Sequence, residues 1–285
     1  MIALPWPFER EYMQLALVAG VTVGACAPLI GAFLVQKRMA LMGDGIGHLA
    51  FAGVAAGALL GVWPVWSALA VAVVGALAVE HLRSRGAASG DLALALFFYG
   101  GLAAGVVLLG AGDDTRTVNL NTYLFGFLLG VERSEVLMVG LLGALIVVTV
   151  ALLRRPLFAL VVDEEWARVA GLPVAALNAV LAVLVAVTIV AAMRVVGILL
   201  VAGLMVLPVA SGQLLARSQL AILGWSSAIG VVSVVLGLVA ARLWGLAPGG
   251  TIVLVSVAVF AVVALVGRLR TLAPVHVLSD SQHGW

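Results

Sequence analysis

The chain has 285 residues, of which 64% are hydrophobic and only 10% are charged, and its formal net charge is +2. This composition excludes an ordinary soluble domain, and the few, scattered basic residues exclude a nucleic-acid-binding surface. Apolar runs of about 20 residues, each long enough to cross a bilayer, recur along the whole length. The sequence therefore predicts a single all-α transmembrane domain over 1–285.

The apolar runs define the predicted helices in chain order. Residues 1–12 form an interfacial lead-in, 271–285 a polar C-terminal tail, and the segment 119–130 is too short to cross alone. We interpret that segment as a broken or re-entrant element, although an extension of the next span or an interfacial piece would fit its length too. Eight or nine transmembrane helices are predicted from the spans 13–36, 47–62, 65–81, 91–112, 134–153, 174–193, 195–215, 219–242 and 248–267.

The basic residues indicate the orientation of these helices. With the N-terminus outside, ten of the 15 lysines and arginines fall on the cytoplasmic side, as expected from the positive-inside rule. If the number of helices differed by one, the predicted orientation of the downstream half of the chain would be reversed. The ten are Lys37, Arg38, Arg83, Arg85, Arg154, Arg155, Arg168, Arg217, Arg268 and Arg270.

Glycines spaced four residues apart predict close helix packing on the second span. Gly53, Gly57 and Gly61 would lie on one helical face, where small residues let another helix approach closely.

The beginning of the second span carries the strongest candidate site. Asp44 and His48 stand at i and i+4 and would project from one helical face. A carboxylate and an imidazole offer one oxygen and one nitrogen to a divalent cation, and ionisable groups at bilayer depth are costly unless they face a cavity, a partner or an ion. An alternative is that Asp44 caps the helix and a backbone carbonyl satisfies His48.

Other ionisable side chains are weaker candidates. Glu80 and His81 close the third span beside arginines, which favours ordinary ion pairing and leaves a second-layer metal role open. Asp91 begins the fourth span, where a helix N-terminus favours a carboxylate without any functional role. His276 and His283 lie in the polar tail, where histidines are more often solvated than ligating.

A charged segment separates two long apolar spans on the predicted cytoplasmic side. It runs from Asp163 to Pro173, with acidic residues at its start and Gly171 near its end, a pattern typical of a short helix. Such a helix could dock onto a partner protein, or it could lie on lipid with Trp166 as its anchor.

Motifs of ATPases and common hydrolases are absent from the sequence. The only lysine, Lys37, follows Gln36 where a phosphate-binding loop requires glycine, and neither H-E-x-x-H nor G-x-S-x-G occurs. The single cysteine, Cys26, allows neither an intrachain disulfide nor a thiolate metal cluster. We therefore expect that the chain is not an enzyme.

Three stretches carry a family resemblance over about residues 10–270. The first, Arg38–His48 with its Arg-Met-x-Leu-x-Gly-Asp-x-x-x-His pattern, continues into Gly53–Gly57, and the others are Asp163–Gly171 and Val196–Pro208. In these stretches the chain resembles the zinc and manganese ABC-importer permeases. It departs slightly at Gly45 and Gly47, where bulkier small residues are also common in the family, so that a less rigid helix is expected.

The resemblance implies a multi-pass permease of the plasma or inner membrane, working as a homodimer with a cytoplasmic ATP-binding subunit and an extracytoplasmic metal-binding protein. It implies transport of Zn²⁺, Mn²⁺ or Fe²⁺, zinc foremost, with no permanently bound cofactor. Asp44 and His48 match the family's channel-lining ligands. The family's loop that couples the permease to the ATPase matches Asp163, Glu164, Glu165, Ala167 and Gly171.

Two other function classes remain open at this point. A secondary, proton-coupled metal transporter would use the same pair of side chains without an ATPase. A metal-dependent intramembrane enzyme would need further converging ligands or a nucleophile.

Overall fold

The computed structural model describes residues 9–85, 90–111, 124, 126, 132–193 and 196–272. These residues form ten α-helices and no strand, which confirms the all-α prediction. The helices, in chain order, are α1 (Glu11–Gln36), α2 (Met42–Leu60), α3 (Pro64–Ser84), α4 (Gly90–Gly110), α5 (Arg133–Val162), α6 (Glu164–Val169), α7 (Val174–Ala192), α8 (Ile198–Leu215), α9 (Gln219–Trp244) and α10 (Pro248–Leu272).

Each predicted span corresponds to one helix of the described structure, and the polytopic architecture is confirmed. Eight helices are long and apolar enough to cross a membrane, namely all except α6 and α8. Helix α8 is apolar but shorter in its described part, Leu200–Leu215. The predicted element at 119–130 lies almost entirely outside the described residues, as do most of the lead-in and of the C-terminal tail.

Several helices extend beyond their predicted spans, and packing accounts for the extensions of α2 and α5. Helix α2 begins at Met42 rather than 47, and its glycine-rich first turns are held by packing against α8. Helix α5 continues past residue 153 to Val162, although Arg154 and Arg155 interrupt its apolar run. The extension persists because Leu157 and Leu160 are fully buried, so that the last turns are amphipathic.

The centre of the bundle is formed by α1, α2 and α7. About two thirds or more of the apolar part of each is buried, against 17% for α4 and 11% for α10. Helix α2 packs against α3, α4, α7 and α8, whereas α1 packs against α5, α7, α8 and α9. Many large apolar side chains on the outer helices are exposed, as expected for surfaces that face lipid or another membrane subunit.

The glycines of the second span have two different roles in the structure. A Cβ atom on Gly53 would lie 2.7 Å from the Cα atom of Ala68, and one on Gly57 would lie 2.0 Å from the Ser67 hydroxyl oxygen. These two glycines therefore allow α3 to approach α2. Gly61 instead ends α2 with a left-handed φ of 68°, a conformation that glycine adopts without strain.

Polar contacts show which helix ends share a face of the bundle. The end of α1 meets the start of α9 through a 3.0 Å hydrogen bond from Gln36 to Gln219, and Glu164 of α6 lies 3.6 Å from Arg83 at the end of α3. At the opposite face, Arg133 pairs with Glu11 at 2.6 Å. The ends of α1 and α3 and the start of α9 therefore lie on the same face of the bundle. This arrangement agrees with the predicted topology, in which all three are cytoplasmic.

We expect Gly53→Ala to destabilise the bundle by about 1–3 kcal/mol, because the added methyl group would overlap backbone atoms of α3. Gly100→Ala is the matched control, since it makes the same change within a helix at a position with no atom within 4 Å of the new Cβ. Thermal unfolding of the purified protein in detergent measures the difference. Equal melting temperatures for the two variants would contradict close packing at Gly53.

Candidate metal site

The structure places Asp44 and His48 one turn apart in the first half of α2. The N-cap position of α2 is Leu41, so Asp44 lies within the first turn and does not cap the helix. Its carboxylate makes no hydrogen bond or ion pair with any described residue. The interpretation of Asp44 as a structural cap is therefore excluded.

Asp44 lies on the wall of a groove between α2 and α4. The groove has a volume of about 230 Å³. Among the described residues on its wall, Asp44 alone carries a charge, and the others are Leu41, Gly45, Leu94, Ala95, Phe98 and Tyr99. A single carboxylate in a largely apolar groove can attract a cation, since little else there competes for it.

His48 is almost completely buried, with 8% of the residue exposed. Its Nδ1 atom has no hydrogen-bond partner among the described residues. The imidazole ring meets the ring of Phe98 edge-on, with centroids 4.2 Å apart. A buried nitrogen without a hydrogen bond costs free energy. A hydrogen-bond donor, an acceptor or a metal ion beside the Nδ1 atom would remove this cost, and the described residues do not supply one.

Phe98 connects the two candidate ligands. It contacts His48 and also lines the groove beside Asp44. In this conformation the groove thus exposes the carboxylate and Phe98 shields the imidazole. Phe98 was not among the predicted site residues, and its only signal in the sequence is the aromatic run from Phe97 to Tyr99 on α4.

Small residues let two other helices approach α2 at the site. A Cβ atom on Gly101 of α4 would lie 2.8 Å from the carbonyl carbon of His48, and one on Gly47 would lie 3.2 Å from Ile198 at the start of α8. A Cβ atom on Gly43 would lie 3.3 Å from the Cβ atom of Ala202. The glycines around the candidate ligands therefore permit contacts between helices, and neighbouring helices hold this part of α2 in place.

Within the part of the chain that the structure describes, the side chains of one copy do not assemble a complete metal site. In the described ranges, no group of three or more His, Cys, Asp or Glu residues is close enough to hold an ion. A divalent transition metal needs about four ligands, so Asp44 and His48 would require partners from another chain or from water. This incompleteness is compatible with a site shared between two copies of the chain.

The weaker candidates lie elsewhere. Glu80 is buried and accepts two hydrogen bonds from Arg83, at 2.9 and 2.8 Å, whereas His81 is exposed. The arginine occupies both carboxylate oxygens, which favours a structural ion pair over a metal-binding role. The Asp91 side chain, His276 and His283 lie outside the described residues.

The charged segment forms the short helix α6, as predicted. Asp163 is its N-cap and accepts a 2.9 Å hydrogen bond from the backbone N–H of Trp166, and Gly171 follows its end with a left-handed φ of 80°. Its two faces differ. Ala167 is fully buried and Glu164 turns inward, whereas Glu165, Trp166, Arg168 and Val169 are exposed.

Comparisons with known proteins agree along nearly the whole chain. The ABC 3 transport family profile matches residues 9–267. The manganese transport system membrane protein MntC of Halalkalibacterium halodurans is 32% identical over 88% of this chain and 86% of its own length. The high-affinity zinc uptake system membrane protein ZnuB of Haemophilus influenzae is 30% identical over 91% and 99%.

A solved structure has the same fold. PsaBC from Streptococcus pneumoniae in complex with Fab superposes with a TM-score of 0.83 at 28% identity, covering 93% of this chain and 96% of the compared chain.

We expect Phe98→Ala to make the His48 imidazole severalfold more reactive towards a histidine-modifying reagent, because the ring that covers it is removed. Mass spectrometry of the modified protein measures the rate at His48. Leu96→Ala, which truncates an exposed side chain on the same helix, is the control and should leave the rate unchanged. A wild-type rate in Phe98→Ala would show that Phe98 does not shield the imidazole.

Proposed function

Because the chain belongs to the ABC 3 transport family, we propose that it is the membrane-spanning permease subunit of an ATP-driven importer of divalent transition-metal ions. Zinc is the favoured cargo, with manganese or iron as the alternatives. The names of the two relatives, one a zinc and one a manganese transport protein, support zinc and manganese as the cargo. The metal is a transported substrate, and no permanently bound cofactor is proposed.

The observation that carries the proposal is the unpaired state of Asp44 and His48. Among the described residues, the Asp44 carboxylate has no ionic partner and the buried Nδ1 atom of His48 has no hydrogen-bond partner, and both groups face the α2–α4 region of a membrane-spanning helix. One oxygen and one nitrogen ligand suit borderline divalent ions and are poor ligands for Cu⁺. A passing metal ion would supply the interaction that both groups lack.

A two-fold homodimer would complete the ligand set. Two copies would contribute two carboxylates and two imidazoles around one axis, which equals the usual coordination number of zinc. The exposed apolar surface of α4, which includes Leu92, Leu96 and Val106, flanks the groove and is available for such an association. We propose that these two carboxylates and two imidazoles lie close together at the axis.

ATP hydrolysis is assigned to a separate cytoplasmic subunit. The exposed face of α6, with Glu165, Trp166 and Val169, is the proposed docking surface for it. An extracytoplasmic metal-binding protein would deliver the ion from the other side of the plasma or inner membrane. Movement of α4 away from α2 would uncover His48 and let the ion bind to both ligands.

A secondary, proton-coupled carrier remains the alternative. It would use the same ligands and would need no docking surface for an ATPase. Vesicles that contain this chain alone separate the two functions: metal uptake driven by an imposed proton gradient supports the carrier, whereas uptake that requires the ATP-binding subunit and ATP supports the importer.

We expect Asp44→Ala and His48→Ala each to reduce metal uptake by at least about tenfold, since removal of groups that hold a metal in place costs about that factor or more. Uptake of ⁶⁵Zn²⁺ or ⁵⁴Mn²⁺ by membranes that contain the assembled transporter measures the loss. Arg133→Gln is the control and should transport normally, because it breaks only the exposed ion pair with Glu11. Unchanged uptake at equal expression in both site variants would refute the site.

We expect Glu165→Ala to weaken association with the ATP-binding subunit and to lower metal-stimulated ATP hydrolysis, because the exposed carboxylate lies on the proposed docking face. Co-purification of the two subunits and the hydrolysis rate provide the readouts. If association and hydrolysis stay normal in Glu165→Ala and also in Trp166→Ala, α6 lies on lipid instead.

A further inference from the structure

A cluster of charged and polar side chains joins α6 to the end of α1. We call it the Lys37 cluster, and it consists of Lys37, Glu80, Arg83, Glu164 and Asn178. Lys37 caps α1, Glu80 and Arg83 end α3, Glu164 begins α6 and Asn178 lies in α7. These residues come from four helices and meet on one face of the bundle.

Glu164 is the hub of this cluster. Its carboxylate lies 3.3 Å from the Lys37 ammonium nitrogen and 3.6 Å from the Arg83 guanidinium, and it accepts a 3.3 Å hydrogen bond from the Asn178 amide. The Lys37 ammonium group also donates a hydrogen bond to the side-chain Oδ1 atom of Asn178. Arg168, one turn further along α6, adds a looser contact at 3.8 Å. The cluster therefore ties the inward face of α6 to three transmembrane helices.

The Lys37–Glu164 pair is shielded from water. Only 7% of the Lys37 side chain and 30% of the Glu164 side chain are exposed. Burial lowers the pKa of Lys37, and the nearby Arg83 lowers it further, whereas Glu164 acts in the opposite direction. Burial alone would raise the pKa of Glu164, but the positive charges of Lys37 and Arg83, together with hydrogen bonds from Lys37 and Asn178, hold that pKa below its usual value. Each charge thus stabilises the other, and loss of the Glu164 carboxylate would leave the Lys37 ammonium group buried and less compensated.

Lys37 stands directly before the turn that leads into the site helix. The next residue, Arg38, has a left-handed φ of 59°, and α2 begins at Met42, two residues before Asp44. A left-handed conformation in a non-glycine residue is strained and needs surrounding contacts to hold it. Backbone hydrogen bonds from Arg38 to the Val35 carbonyl (3.1 Å) and from Met39 to the Leu34 carbonyl (2.8 Å) close this turn, so ordered backbone joins Lys37 to the start of α2.

We propose that the Lys37–Glu164 contact transmits the movement of α6 to the first turn of α2, and hence to Asp44. This inference rests on the proposed function, because the proposed ATP-binding subunit is the partner whose movement α6 would receive. The two faces of α6 then have separate roles: its exposed face binds the ATP-binding subunit, and Glu164 on its inward face acts on the α1–α2 turn. Lys37 and Glu164 are positioning residues that never touch the metal.

A purely structural ion pair would behave differently from a transmission contact. If the pair only stabilised the fold, its loss would lower the amount of assembled transporter and leave each assembled transporter normal. If it transmits movement, the assembled transporter would still hydrolyse ATP but would move fewer metal ions for each ATP. The ratio of ATP hydrolysed to metal transported separates these cases.

The test uses the transporter reconstituted in vesicles with its ATP-binding subunit, with Zn²⁺ or Mn²⁺ as the probe. In Lys37→Met and Glu164→Gln we expect ATP hydrolysis to continue while the ratio of ATP hydrolysed to metal transported rises about fivefold or more, the lower end of typical coupling effects. Arg133→Gln, which breaks the exposed pair with Glu11 on the opposite face, is the matched control and should keep the wild-type ratio.

A charge exchange adds a readout that a simple loss of stability would not give. The double variant Lys37→Glu with Glu164→Lys restores an opposite-charge pair, and we expect its ratio to lie closer to wild type than that of Lys37→Glu alone. Glu164→Gln keeps the shape and hydrogen-bonding capacity of the side chain, so it remains informative if Lys37→Met fails to assemble. A wild-type ratio in assembled Glu164→Gln would overturn the proposal.

The wild-type transporter separates this inference from the proposed function. If wild-type vesicles show no ATP-dependent metal uptake, the importer function itself fails. If wild-type uptake is ATP-dependent and the variants keep the wild-type ratio, only the transmission contact fails.

Discussion

One electrostatic constraint underlies the proposed transport: two ionisable groups lie on a membrane-spanning helix without a polar partner in the part of the chain that the structure describes. Among the described residues, Asp44 has no ion-pair partner and the Nδ1 atom of His48 has no hydrogen-bond partner, although His48 is almost fully buried. Protein interiors normally satisfy such groups, and a bilayer offers no water to replace them. The unpaired state therefore points to a partner that comes and goes, and a divalent cation fits the oxygen and nitrogen donors.

The rest of the bundle positions this pair. Glycines bring α4 and α8 against α2 on either side of the ligands, and Phe98 covers the imidazole while the carboxylate faces a groove. A short stretch of chain then connects Asp44 to Lys37, whose ammonium group pairs with Glu164 of α6. The first turns of α2 thus lie between the proposed ion path and the proposed docking helix, so that one small rearrangement could affect both.

Much of this architecture follows from the sequence. Long apolar runs predict the membrane-spanning helices, the i, i+4 spacing places Asp44 and His48 on one face, and the acidic start and glycine stop predict α6. The sequence could not predict contacts between distant residues: Lys37 and Glu164 lie 127 positions apart, and Phe98 meets His48 from another helix. Nor could it separate Glu164 from Glu165, because only packing decides which of two adjacent carboxylates turns inward. Helix ends were missed where burial of Leu157 and Leu160 outweighed the interruption by two arginines.

Anomalous diffraction from crystals of the assembled transporter, soaked with Zn²⁺ or Mn²⁺, would show whether Asp44 and His48 bind the transported metal. We expect an anomalous peak on the two-fold axis between two copies, with the carboxylate oxygens and imidazole nitrogens about 2.0–2.2 Å from a zinc ion. A metal peak elsewhere along the membrane path, with Asp44 and His48 turned towards lipid or packed against protein, would contradict this expectation.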